Sequence, residues 1–357
     1  MKSPGQLSES IERFRSGFWR REAVDRPPVS VIPAGAWLPI RLAREPIGRP
    51  RLLPEDVSER LARTDYEQSA RERRVESDDF IPYAAAWRAI PWLEAMCGCP
   101  VRTSAGSLAP APCVESPEDL EEAAVPADSG WVEALRRETA RLCAAAPEDC
   151  WVSPTILRGA SDVLAAMCGL DRFFLALHDN RPAVARAAAR VNALHMNVLD
   201  THFSLVQPRL GGHGHIFGFW APGPATVIQE DALGMCSPAV YRDEFMPLSA
   251  QLVERLGRYV LFHLHSTGYR HYRHVLDVPG LAGLEITVEA NGPPLRDMAP
   301  ALGEILNRSR LILSVDGYFE QLPEVLRRLP RDGLYLIVSG EFVRSETEFK
   351  NLLGTFS

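Results

Sequence analysis

At 357 residues, with 46% apolar and 24% charged side chains, the chain has the length and apolar content of one large domain with a substantial core. A formal net charge of −7 argues against a nucleic-acid or anionic-membrane partner, both of which recruit basic surfaces. Lys2 and Lys350 are the only lysines and both lie near an end, so mechanisms built on a buried catalytic amine, pyridoxal phosphate included, are not expected.

Along the chain, Gln6 to Glu22 reads as a surface helix, broken by Asp25-Arg26-Pro27-Pro28. It is too charged for a secretory leader, and no later stretch approaches the roughly 18 to 20 apolar residues of a membrane span. Val29 to Pro33 fits a first strand, and the charged, proline-punctuated stretch from Arg44 to Arg74 reads as an elaboration. Seven scattered cysteines, an odd number, do not suggest a disulfide framework; Cys97-Gly98-Cys99 reads as packing, and a cytoplasmic location is expected. Trp151 to Leu157 and Ile216 to Trp220 are apolar runs of strand length.

Ser237-Pro238 has the chemistry of a helix start, and Tyr241, Phe245, Leu248, Leu252 and Leu256 follow on one stripe. Strand-like runs then recur at Tyr259 to His265, Leu284 to Val288, Leu311 to Val315 and Leu334 to Val338, with helical patterns between them. This alternation predicts an α/β fold with a parallel sheet. A spacing of roughly 25 residues suits a single (β/α)8 barrel over 1–357 with an N-terminal helical elaboration. A doubly wound open sheet is the runner-up, but no Gly-x-Gly-x-x-Gly follows an early strand, so no NAD site is expected.

Barrel enzymes place their chemistry at the C-terminal ends of strands. His263 and His265 lie two apart on a predicted strand and so share a face. His213 and His215 form a second His-x-His pair in a glycine-rich stretch. Together the four are candidate metal ligands, for which zinc or another divalent ion is the natural choice; equally, they could be hydrogen-bonded structural residues. Asp231 stands on a predicted strand-to-helix loop, Glu285 sits in a buried strand where it needs a partner, and Glu289 flanks the same strand. Asp79 in Ser77-Asp78-Asp79-Phe80 is a further candidate acid or a helix cap. His265, Asp231, Glu285 and Asp79 are the candidate catalytic set; Trp220, Tyr241, Ser339 and Glu341 are candidate substrate contacts. His271 and His274 read as members of a solvated helix, and no role is assigned to His178, His195 or His202.

Several of these segments, in order, resemble the uroporphyrinogen decarboxylase superfamily: Asp25-Arg26-Pro27-Pro28-Val29, then Ser77-Asp78-Asp79-Phe80-Ile81, then Asp231 with Ser237-Pro238 and Tyr241, and finally His265-Ser266-Thr267-Gly268. The last resembles the His-x-Cys-Gly motif of the cobalamin- and coenzyme M-linked methyltransferases. The resemblance spans nearly the whole chain through short motifs, and implies a barrel enzyme acting on a small molecule. Methyl transfer, with a corrinoid or folate as carrier and a corrinoid protein as partner, is the leading expectation. A decarboxylase or lyase working without metal is the alternative, and a non-catalytic ligand-binding barrel the third. A homodimer is compatible with it.

Two departures bear on chemistry. The arginine-rich element that grips propionates in the decarboxylases is replaced by Ile32-Pro33-Ala34-Gly35-Ala36-Trp37, with no arginine before Arg41. Thr267 and Ser339 stand where the methyltransferases have zinc-binding cysteines, so a metal here would be held by histidine and carboxylate.

Overall fold

The computed structural model describes residues 2–33, 50–57, 75–104, 107–115, 119–123 and 130–356. The stretch from residue 34 to 49, with Trp37 and Arg41, and most of the predicted elaboration lie outside the described residues.

Eight parallel strand segments frame the site: β1 (Val29–Ile32), β2 (Tyr83–Ala84), β3 (Trp151–Val152), β4 (Ala225–Gln229), β5 (Tyr259–His265), β6 (Gly283–Val288), β7 (Arg310–Val315) and β8 (Leu334–Ser339). Six of them form one parallel sheet in the order β1-β8-β7-β6-β5-β4. The remaining two, β2 and β3, pair with each other in parallel. Two local contacts adjoin this pair to the sheet: Asp79 N–H donates to the Val29 carbonyl at 2.7 Å, and Arg158 forms a lone parallel bridge with Gln229.

Side chains on the sheet alternate between two apolar clusters, as a pleat requires. Leu284, Ile286, Val288, Leu311 and Leu313 pack with the helices, including α1 (Ala160–Cys168), α2 (Met246–Leu256) and α3 (Leu295–Arg308). Leu261, Ile312, Tyr335 and Ile337 face the other way, onto Phe14 and Phe18. Glu285 shares the face of Leu261 and is fully buried, with the buried His263 opposite it, so the sheet carries an ionisable pair into this layer.

The N-terminal helix differs from expectation. It starts at Pro4, is α-helical to Arg13, and continues as a wider π-helical turn over Phe14–Trp19. Phe14 and Phe18 are fully buried, with ring centroids 4.9 and 6.2 Å from Tyr335, so this element closes one end of the apolar layer.

Ile216 to Trp220 is not a strand. Short strands at His213–Gly214 and Trp220–Ala221 pair antiparallel around it. Gly218 turns the chain at φ 68°, where an added Cβ would lie 2.5 Å from the Phe80 ring. The run is apolar because this hairpin is buried against Phe80 and Tyr335, and the sheet strand follows Pro224 instead. Of Trp151 to Leu157, only the first two residues are paired, since Pro154 offers no N–H to a ladder. Ser237 does cap its helix, accepting from Val240 N–H at 3.4 Å, and Tyr241, Phe245, Leu248 and Leu252 are buried as the stripe predicts. Among the described residues no helix is long and apolar enough to cross a membrane.

Candidate metal centre and its cavity

The registers of β5 and β6 build the core of the site. His263 lies opposite Glu285 and His265 opposite Thr287. The His263 Nδ1–H makes a close hydrogen bond to Glu285 Oε2, and the other oxygen of Glu285 accepts from Thr287 Oγ1 at 2.9 Å. Just past β6, Glu289 Oε1 contacts His265 Nδ1 at 2.5 Å, while its Oε2 accepts from Ser266 Oγ at 3.0 Å. Both imidazoles are thus pinned by a carboxylate at Nδ1, and both turn Nε2 toward Asp231: the distances to Asp231 Oδ1 are 3.7 and 3.6 Å.

Asp231 is itself held from behind. Gln229 Nε2 donates to its Oδ2 at 2.7 Å, leaving Oδ1 for the histidines. Its backbone N–H donates to Asp162 Oδ2 at 3.0 Å, and that of Ala232 to Asp162 Oδ1 at 2.7 Å. In return Glu230 accepts from the N–H groups of Ala160 and Ser161 at 3.1 and 2.8 Å, at the N-terminus of α1. Gly159 permits this approach, because a Cβ there would lie 2.3 Å from the Glu230 carboxylate.

These contacts set the charges. Hydrogen bonding to Asp231 and then Glu289 raises the His265 pKa to about 10. Burial would lower His263, but the Glu285 carboxylate outweighs it and the pKa is raised. Burial likewise opposes ionisation of Asp231, yet the two histidines hold it down to about 2. Behind it, burial raises Glu230 to about 7 and, with the charges of Asp231 and Glu230, raises Asp162 well above the ordinary range.

The donor set fits a divalent cation. One ligand atom from each of Asp231, His263 and His265 can be chosen so that all lie within 4.8 Å of one another. Bonds of about 2.0–2.1 Å in a tetrahedral shell put donors about 3.4 Å apart, close to the 3.6 and 3.7 Å separations observed. A carboxylate on the far nitrogen of each histidine is the support that metal-binding imidazoles ordinarily have.

His263 and His265 line a cavity of about 230 Å³. Its apolar wall includes Ile156, Leu157, Ile216, Phe217 and Val227; its polar wall includes Thr155, His215, Glu289 and Asp316. Burial, then the charges of Glu341 and Glu289, raise the Asp316 pKa, with the Ser339 hydroxyl opposing them through a hydrogen bond.

Of the residues singled out from sequence, the structure brings Asp231, His263, His265 and Glu285 together, and seats Ser339 and Glu341 beside Asp316. His215 lines the cavity, whereas His213 faces away from it onto Phe203, 5.6 Å between rings. Asp79 is bound by Arg13 and Arg26 and accepts from Val29 N–H at 2.9 Å, which ties the N-terminal segment to β1. Trp220 lies under Arg15, whose guanidinium carbon is 4.9 Å from its ring, and its carbonyl accepts from Trp19. Tyr241 is buried among helix-side residues, 5.6 Å from the Phe262 ring. His271, expected on a solvated helix, is buried in a 3-10 turn (Ser266–His271), its ring 6.4 Å from that of Tyr241. Asp316 and Gln229 were not anticipated; their signal was a polar residue at or just past the end of an apolar strand run.

No protein-family model and no curated protein matches the chain. Among solved structures, a methyltransferase from Methanosarcina mazei is similar in fold, with a TM-score of 0.62, covering 94% of this chain and 92% of that one at 14% sequence identity.

Proposed function

We propose that the chain is an enzyme that transfers a methyl group to or from a small molecule at a divalent metal ion, zinc being the natural choice for this donor set, held by Asp231, His263 and His265. The observation that carries the reading is the convergence of the two Nε2 atoms on Asp231 Oδ1, with Glu285 and Glu289 behind them, on the wall of a cavity. A metal there would supply Lewis-acid activation of a substrate thiol or oxygen. Glu285 and Glu289 orient the imidazoles and raise their basicity; the Asp162–Glu230 pair fixes the Asp231 backbone; Ile156, Leu157 and Phe217 keep water from the reacting face.

Methyl transfer is favoured over other metal-assisted chemistry by two supports. The fold neighbour is a methyltransferase, and the order of sequence motifs resembles the uroporphyrinogen decarboxylase superfamily, in which corrinoid-linked methyltransferases occur. In the same reading the strand segments close into a (β/α)8 barrel through the Asp79–Val29 and Arg158–Gln229 contacts, and a corrinoid protein or a folate delivers the methyl group. A lyase reading is favoured by one observation: His265, held protonated between Asp231 and Glu289, has the character of a general acid.

Elemental analysis of protein purified without added metal or chelator, beside His265→Ala, separates them. Near-stoichiometric zinc or iron that falls sharply in the variant supports the metal-centred transferase. Metal-free wild type whose thermal stability ignores chelators removes it. Assay of the metal-loaded protein with methylcobalamin or methyltetrahydrofolate as donor and small thiols as acceptors then tests the transfer.

A further inference from the structure

His215 is buried, 3% exposed, on the hairpin that underlies the cavity, and its ring is stacked with Phe217 and Phe219 at 5.6 and 4.8 Å, tilted by only 3° and 14°. The Phe217 N–H donates to His215 Nδ1 at 3.4 Å, so Nδ1 is the acceptor nitrogen and the ring proton sits on Nε2. Burial, with a smaller push from His202, lowers its pKa to about 3 and keeps the ring neutral. No described residue accepts from Nε2, and the ring lines the cavity. Nε2 opens to the cavity rather than being shut away from solvent, so a group entering there can replace water as its acceptor. The other polar walls carry the carboxylates of Glu289 and Asp316 beside the imidazoles of His263 and His265.

We propose that His215 is a substrate-positioning residue: a fixed donor whose Nε2–H binds a carbonyl, ether or hydroxyl oxygen of a small molecule in the cavity shared with His263 and His265. The rigid stack and the Phe217 hydrogen bond hold the donor in place, so it fixes where the acceptor oxygen sits relative to His263 and His265. The inference rests on the cavity being the substrate site, but not on the metal.

The full chain, labelled with 15N-histidine, is titrated with acetamide, and the His215 ring nitrogens are followed by NMR. Expected are a neutral Nε2–H tautomer from pH 7 down to pH 5 and a saturable shift with acetamide. In His215→Phe, which keeps the stack, acetamide binding weakens at least tenfold by the backbone amide shift of Phe217, while His215→Gln, which keeps a donor, restores part of it. Metal content is measured in each variant. A ring proton on Nδ1, titration near pH 6.5, or unchanged acetamide binding in His215→Phe each overturns the proposal. Metal-free wild type with the expected His215 behaviour would remove the metal-centred reading and leave this one standing.

Discussion

Glu230 and Asp162 cap each other's backbone: Glu230 accepts the first N–H groups of α1, and Asp162, inside that first turn, accepts the N–H groups of Asp231 and Ala232. The exchange is what aims Asp231 at the two histidines. Asp162→Ala leaves two buried N–H groups unpaired, which costs about 1–3 kcal/mol each at most. We expect a matching fall in the denaturant midpoint and, because Asp231 loses its anchor, a drop in zinc affinity of about 10- to 100-fold, the usual effect of removing outer support. An Asp162→Ala protein with full zinc affinity would show that Asp231 is positioned by other means.

Removing ligands is a harsher change. His263→Ala and His265→Ala are expected to lose stoichiometric zinc while keeping the fold. Bound metal stabilises the native state by mass action, so a chelator should lower the thermal midpoint of the wild type and leave that of His265→Ala unmoved. Equal chelator sensitivity in both would place any metal elsewhere.

Glu285→Gln tests the support behind His263. The amide keeps the shape but gives up the charge that holds the His263 pKa up. Zinc affinity is expected to fall about 10- to 100-fold with little change in the far-ultraviolet circular dichroism. Isothermal titration calorimetry of the two proteins measures it.

Acid stability follows from other histidines. Burial lowers His195 to about 4, and His202 and His215 to about 3, against about 6.5 when unfolded. The unfolded chain therefore binds more protons than the native one between these values. Stability is fully present above pH 6.5 and is lost as pH falls toward 4 and 3, at up to about 1.4 kcal/mol per pH unit for each histidine. Glu230 and Asp162, raised by burial, oppose this in the same window, so the test is the difference in urea midpoints from pH 7.5 to 4.5 between the wild type and His195→Leu, which should lack one histidine's share of the loss. A slope that His195→Leu leaves unchanged contradicts the account.

Asp79 gives the opposite kind of variant, structural without being chemical. Both its oxygens are engaged, by Arg13, Arg26 and the Val29 N–H. Removing one partner of such a buried network typically costs about 3–5 kcal/mol. Asp79→Ala should lower the unfolding free energy by that order while its zinc content stays at the wild-type level.

Much of the sheet was legible because its strands are buried on both faces and read as unbroken apolar runs, as Leu311 to Val315 and Leu334 to Val338 do. The same rule misread Ile216 to Trp220, since a buried hairpin is as apolar as a buried strand. His263 and His265 were legible from their spacing, which is a property of one strand. That Glu285 partners His263 depends on the register between β5 and β6, which only the folded chain determines. The roles of Glu230 and Asp162 depend on a contact between residues about 70 positions apart. His215 was visible as one of two similar histidines, but the turn at Gly218 decides that it, and not His213, meets the cavity.

The three ligand candidates and the carboxylates behind the histidines all fall between Glu230 and Glu289, whereas the facing wall of the cavity comes from Thr155–Leu157 and His215–Phe217. One contiguous piece of chain therefore carries the candidate ligands and their supports, and other pieces carry most of the mould around them. Substitutions in the mould can redraw which molecules fit while the candidate ligands keep their arrangement. A lineage of such proteins would diversify by substrate far sooner than by metal.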